Sequence, residues 1–155
     1  YLPNLSITPD IYLCCCGGGG LIAGTSTYLK YKYPNIKSFA VEPYGFEDTK
    51  ISLINKKIIA NKPGFSSICD AIITPQPGKL TFPINLKTLS GGIVVEDDEV
   101  KNCIKILAEH LKIIVEPGGA VAATAALTKK INLKNKTVVV MISGGNIDLD
   151  RFSSL

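Results

Sequence analysis

Apolar positions along this chain fall into short unbroken runs separated by stretches with helical spacing. Ile11-Tyr12-Leu13, Phe39-Ala40-Val41 within residues 37–42, and Ile93-Val94-Val95 after Gly91-Gly92 are rich in β-branched or bulky residues and predict strands. The longest run, residues 136–142 (Lys-Thr-Val-Val-Val-Met-Ile), predicts a strand buried on both faces. Between the runs, residues 21–33 are compatible with a helix. Ile51, Ile54, Ile58 and Ile59 predict a short helix over 51–59, stopped before Asn61-Lys62-Pro63-Gly64. Asp97-Asp98-Glu99 puts acids in a first helical turn, and Val100, Cys103, Ile104, Leu107 and Leu111 then share one face. Residues 69–73 form a short apolar run, and 113–115 lead into an alanine-rich helix reaching about residue 130. Strands alternating with helices predict an α/β fold, a mainly parallel sheet covered on both faces. Residues 1–155 read as one segment, without internal linker or repeat.

Composition narrows the setting. A hydrophobic content of 46% with 19% charged residues suits a packed α/β core. No signal-peptide pattern or membrane-length apolar stretch is present, so a cytoplasmic protein without membrane attachment is expected. The net charge of +4 comes from lysines scattered along the chain, with Arg151 the one arginine. That is a solvated surface and not a nucleic-acid face. The five cysteines include Cys14, Cys15 and Cys16 in succession, on alternating faces of a strand, and there is one histidine, His110. This spacing does not make a tetrahedral zinc set and predicts buried, reduced thiols.

Candidate chemistry sits in three glycine clusters. Cys14-Cys15-Cys16-Gly17-Gly18-Gly19-Gly20-Leu21 follows a strand-like run and opens a helix. Glycines let the backbone turn and present several N–H groups to an anion, with the positive end of the next helix aimed at the same point. A nucleotide P-loop is excluded, because no lysine follows Gly20 until Lys30. A dinucleotide fingerprint fits loosely, with Glu42 as the downstream acid, and stays open on this loop alone. The second cluster is Val115-Glu116-Pro117-Gly118-Gly119-Ala120 and the third Ser143-Gly144-Gly145-Asn146-Ile147-Asp148.

Together with Val41-Glu42-Pro43 and Pro77-Gly78-Lys79-Leu80-Thr81-Phe82-Pro83-Ile84, in this order and spacing, the clusters resemble the fold-type II pyridoxal-phosphate enzymes of the threonine dehydratase and serine racemase family. The resemblance runs nearly end to end and implies the C-terminal part of a tryptophan synthase β-like large domain. It implies that the amides of Gly17, Gly18, Gly19, Gly20 and Leu21 hold the phosphate of pyridoxal 5'-phosphate and that Ser143 hydrogen-bonds the pyridine nitrogen. A hydroxyl there does not favour full ring protonation, which moderates the electron sink and suits β-elimination of water. It further implies a magnesium or calcium ion held by Glu42, the carbonyl of Phe46 and Asp48, an all-oxygen set. Glu116 falls near the ring; it also complements a helix N-terminus.

The family's imine-forming lysine lies in a Ser-x-Lys-x-Arg-Gly-Ala segment upstream of the glycine loop, and this sequence has no such segment. Cys69-Asp70-Ala71-Ile72 stands where relatives have Ala-Asp-Gly, so Ala71 adds a Cβ close to the cofactor. The chain opens on Tyr1 and matches only the C-terminal half of a catalytic unit, so a split-gene product, a decayed frame or a truncated form is expected, inactive alone and with no catalytic residue of its own. The intact enzyme is expected to convert L-threonine or L-serine into a 2-oxo acid and ammonia. The alternatives are a serine racemase, or a non-catalytic half that binds a phosphate or a partner chain. The expected partners are a small hydroxy amino acid, the missing half as a separate chain, and further copies in a homo-oligomer.

Overall fold

The computed structural model describes residues 7–155. Its centre is β1 (Ile11–Cys15), buried at all five positions. Flanking strands explain that burial. β2 (Lys37–Pro43) pairs with β1 in parallel from Ile11↔Lys37 to Cys15↔Val41. On the other side β4 (Val138–Val140) pairs in parallel from Ile11↔Val138 to Leu13↔Val140. β3 (Leu89–Val95) lies outside β2, so the sheet order is β3-β2-β1-β4 and every pairing is parallel.

Helices cover both faces, as parallel strands require of their crossovers. The Tyr12 hydroxyl donates to Thr25 Oγ1 at 2.9 Å, fixing α1 (Gly20–Lys32) over one face. α2 (Asp48–Asn55) packs against β2 and β3, and α3 (Phe82–Thr88) packs against α1. The opposite face receives α5 (Pro117–Leu127), buried at every position from Pro117 to Ala125. A helix apolar all round must lie between two layers. The second layer is α4 (Asp97–Leu111), which turns Val100, Cys103, Ile104 and Leu107 inward. α4 begins with a reciprocal capping box between Glu96 and Glu99. A short α6 (Leu149–Ser153) closes the chain against the turn at Asp70–Ile72, where Arg151 Nη1 donates to Asp70 Oδ2 at 2.7 Å. Among the described residues no helix is long and apolar enough to cross a membrane.

The α/β class and the parallel sheet are as expected; several bounds differ. The strand predicted over 136–142 is only Val138–Val140 and half-buried, because it lies at the sheet margin with β1 as its one strand neighbour among the described residues. Gly91 and Gly92 lie inside β3, where a Cβ on Gly92 would come within 2.5 Å of the Lys50 Cβ. The glycine lets α2 sit close on the strand. The helix predicted over 51–59 starts at Asp48 and stops at Lys56, which adopts φ 56°. The alanine-rich helix ends at Leu127, and α3 had no clear periodic signal in its seven residues.

Candidate functional site

All four strands run in one direction, so their C-terminal ends share one edge of the sheet, the edge where open α/β sheets bind ligands. The loop from Gly17 leaves β1 there and enters α1 at Gly20. Gly19, at φ 84°, makes the turn, and a Cβ on it would lie 2.5 Å from Asn85 Nδ2. A Cβ on Gly18 or Gly20 would meet nothing within 4 Å, so the loop has an open side. The N–H groups of Gly20, Leu21 and Ile22 begin α1 and have no carbonyl one turn back inside the helix. Among the described residues, no backbone acceptor outside the regular elements takes the N–H of Gly17, Gly18 or Gly19. Free amides and the positive helix end together are the groups that an anion cradle would need.

Ser143 reaches the same edge from the other end of the chain. The Met141 N–H donates to the Leu13 carbonyl at 2.9 Å, extending the β1–β4 pairing toward it. The Ser143 Oγ then lies 3.1 Å from Cys15 Sγ, across 128 residues of sequence. The Glu116 cluster docks on the same turn, with the Glu116 N–H donating to the Gly144 carbonyl at 3.0 Å. A Cβ on Gly119 would sit 2.6 Å from that carbonyl, and one on Gly144 would strike the Glu116 carboxylate. Glycines at both positions permit the approach. The turn carrying Ala71 packs alongside: a Cβ on Gly17 would lie 3.1 Å from the Ile72 Cα, and one on Gly118 would lie 3.6 Å from the Ala71 Cβ.

Gly17 to Leu21, Ser143, Glu116 and Ala71 are therefore grouped at one sheet edge. Glu42 and Asp48 form a second group, beneath α2. Glu42 is wholly buried, and its two oxygens accept the N–H groups of Thr49 at 2.8 Å and Lys50 at 2.9 Å. Burial, and then the charge of Asp48, push Glu42 up to about 8, against the pull of those amides. Burial likewise raises Asp48 to about 6, opposed by the Asn61 amide, which donates to Asp48 Oδ1 at 2.6 Å. Asp48 Oδ2 and Glu47 Oε2 are buried without a hydrogen-bond partner. Among the described residues no group of three or more His, Cys, Asp or Glu side chains is placed to hold a metal ion. The five cysteines are all buried free thiols.

Four residues at the site escape a reading of the sequence. Three consecutive cysteines do not reveal that Cys15 is the one facing Ser143. Gly78, Thr81 and Asn85 touch the glycine loop from about sixty residues away along the chain, and only the Pro77–Ile84 motif hints at them.

Comparison with known proteins identifies the family. Residues 4–144 match the family model described as pyridoxal-phosphate dependent enzyme. A serine racemase of Dictyostelium discoideum is 41% identical over 149 residues, covering 94% of this chain and 46% of the relative. A biosynthetic L-threonine dehydratase of Staphylococcus aureus (strain bovine RF122 / ET3-1) is 34% identical over 146 residues, covering 94% of this chain and 35% of the relative. The crystal structure of the T.th. threonine deaminase superposes with a TM-score of 0.87 at 31% identity, over 92% of this chain and 51% of that one. The chain thus spans less than half of the curated relatives it matches. It belongs to the fold-type II pyridoxal-phosphate-dependent enzymes, in the family of the threonine dehydratases and serine racemases.

Proposed function

We propose that this chain supplies the phosphate- and ring-binding part of a dehydratase acting on L-threonine or L-serine. The observation carrying the proposal is the meeting of Cys15 and Ser143, which brings a hydroxyl to the sheet edge from which the open glycine loop leaves β1. The residues fit pyridoxal phosphate: a dianionic phosphate suits the amides of Gly17 to Leu21 and the N-terminus of α1, and the Ser143 hydroxyl suits a neutral pyridine nitrogen. When bound, the cofactor supplies an electron sink for charge developing at the substrate's α-carbon. The chain's own residues hold and orient it, and Ser143 limits ring protonation. The imine-forming lysine comes from a segment preceding the glycine loop in the whole catalytic unit, joined or as a separate chain, so the chain alone is inactive. A racemase is the second reading, favoured by the 41% identity to a serine racemase. The whole unit separates the two: ammonia with a 2-oxo acid marks the dehydratase, and D-serine the racemase.

The cation reading rests on the orphaned oxygens of Asp48, which neighbours Glu42, and of Glu47, which neighbours Asp48. Glu42, the Phe46 carbonyl and Asp48 offer oxygen ligands that suit magnesium or calcium. Cysteine and histidine play no part in that set, as expected for a hard cation.

Titration of pyridoxal phosphate into the purified chain, followed by visible absorbance before and after borohydride, tests the main reading. Saturable binding with no single reducible lysine adduct is the expected result. One specific lysine adduct, mapped by mass spectrometry, overturns the claim that the base lies outside this chain. Absence of any binding overturns the proposed half-site.

A further inference from the structure

The glycine loop is held from behind. The Gly18 carbonyl accepts two hydrogen bonds from the segment entering α3, the Gly78 N–H at 3.1 Å and the Thr81 hydroxyl at 2.5 Å. The Gly19 carbonyl accepts the Asn85 side-chain amide at 3.4 Å, besides the Ala23 N–H at 3.0 Å inside α1. In a trans peptide the C=O and the following N–H point to opposite sides of the chain. Fixing the Gly18 carbonyl toward Gly78 and Thr81 therefore turns the Gly19 N–H away from α3. Fixing the Gly19 carbonyl turns the Gly20 N–H likewise.

We propose that Thr81, aided by the Gly78 amide and Asn85, is the positioning residue that aims these two amides at the anion. The proposal rests on the cradle reading above and extends it to residues outside the loop. Its physical need is plain. A run of four glycines has the freest backbone a chain can have, and each peptide plane can rotate at little steric cost. Ordering such a loop only when the anion arrives would lower affinity by the entropy of every plane fixed. Holding the carbonyls beforehand removes that loss. The fit is close enough to do so: a Cβ on Gly78 would lie 2.7 Å from Thr81 Oγ1 and 2.8 Å from the Gly18 carbonyl. Asn85 is wholly buried, with its Oδ1 unpartnered. That is a destabilising placement for an amide, and its hold on Gly19 gives it a reason.

Glycine-selective 15N labelling of the chain reads the orientation directly. Inorganic phosphate, and then pyridoxal phosphate, is titrated into wild type, Thr81→Val and Thr81→Ser. Wild type is expected to show saturable shifts of the Gly19 and Gly20 amides. Thr81→Val is expected to move the Gly19 signal before any ligand is added and to bind both ligands about five- to tenfold more weakly, the size of one lost hydrogen bond. Thr81→Ser is expected to restore both. A wild type whose glycine amides ignore both ligands overturns the cradle itself. A cradle that responds in wild type, and equally in Thr81→Val, overturns the positioning role alone. Should Thr81→Val not fold, Thr81→Ala removes the same hydroxyl without adding bulk and is judged by the same two outcomes.

Discussion

Glu42 shows how much a single side chain is asked to do. It is a fully buried carboxylate, yet both oxygens face backbone N–H groups at the start of α2, so it caps that helix as well as lying near Asp48. Burial first, and then a neighbouring carboxylate (Asp48 for Glu42, Glu47 for Asp48), raises Glu42 and Asp48 above the ordinary carboxylate range. A bound divalent cation would lower the cost of this arrangement. Millimolar magnesium or calcium is therefore expected to raise the thermal midpoint of the chain, by the stabilisation any ligand of the folded state gives, about 2.7 kcal/mol at a hundred times the dissociation constant. Asp48→Asn is expected to abolish that increment. Differential scanning fluorimetry with and without each ion checks it, and an unchanged midpoint in wild type removes the cation from the picture.

At the level of elements, the close fit is between the start of α5 and the turn after β4. Gly119→Ala brings a Cβ against the Gly144 carbonyl, and Gly144→Ala brings one against Glu116. Each is expected to destabilise by about 1–3 kcal/mol, the range for overpacking, and urea unfolding monitored by circular dichroism measures it. This contact also shows what was legible in the sequence. Glycine pairs at 118–119 and 144–145 announced special backbone, and the family resemblance placed them in one site, but nothing in the spacing said that they touch each other. β1, β2 and β3 were readable because each holds a short apolar run, Ile11-Tyr12-Leu13, Phe39-Ala40-Val41 and Ile93-Val94-Val95. β4 was readable as a strand and misjudged as buried on both faces, since a row of valines looks the same at the centre of a sheet and at its margin. α3 was missed because seven residues hold too few turns for a period to show. Thr81 and Asn85, the loop's supports, lie in or beside that missed helix.

Over the whole molecule, apolar surface concentrates around β4. On the α1 side Tyr12, Leu21, Tyr28, Val139 and Met141 line an open groove of about 460 Å³. On the α4–α5 side Leu107, Leu111, Ala126, Leu127, Val140 and Ile142 line another of about 410 Å³. Between them runs the outer edge of β4, unpaired among the described residues. An open edge between two apolar grooves is prone to pair with another strand. The isolated chain is expected to self-associate or to need a partner for solubility, and light scattering after size exclusion tests this. A soluble monomer that unfolds cooperatively argues against it. The pairing of Ile11 with Val138 carries one more consequence, for the order in which the chain is made. During synthesis the glycine loop emerges with β1, and α1 and β2 come close behind, whereas Ser143 follows 128 residues after Cys15. The loop of residues 17–21 therefore exists on the ribosome well before Ser143, and β1 waits with one flank bare until β4 arrives. Closure of so long a loop is slow, so the two ends of the site meet late, and it is in that interval that a chaperone has the most to shield.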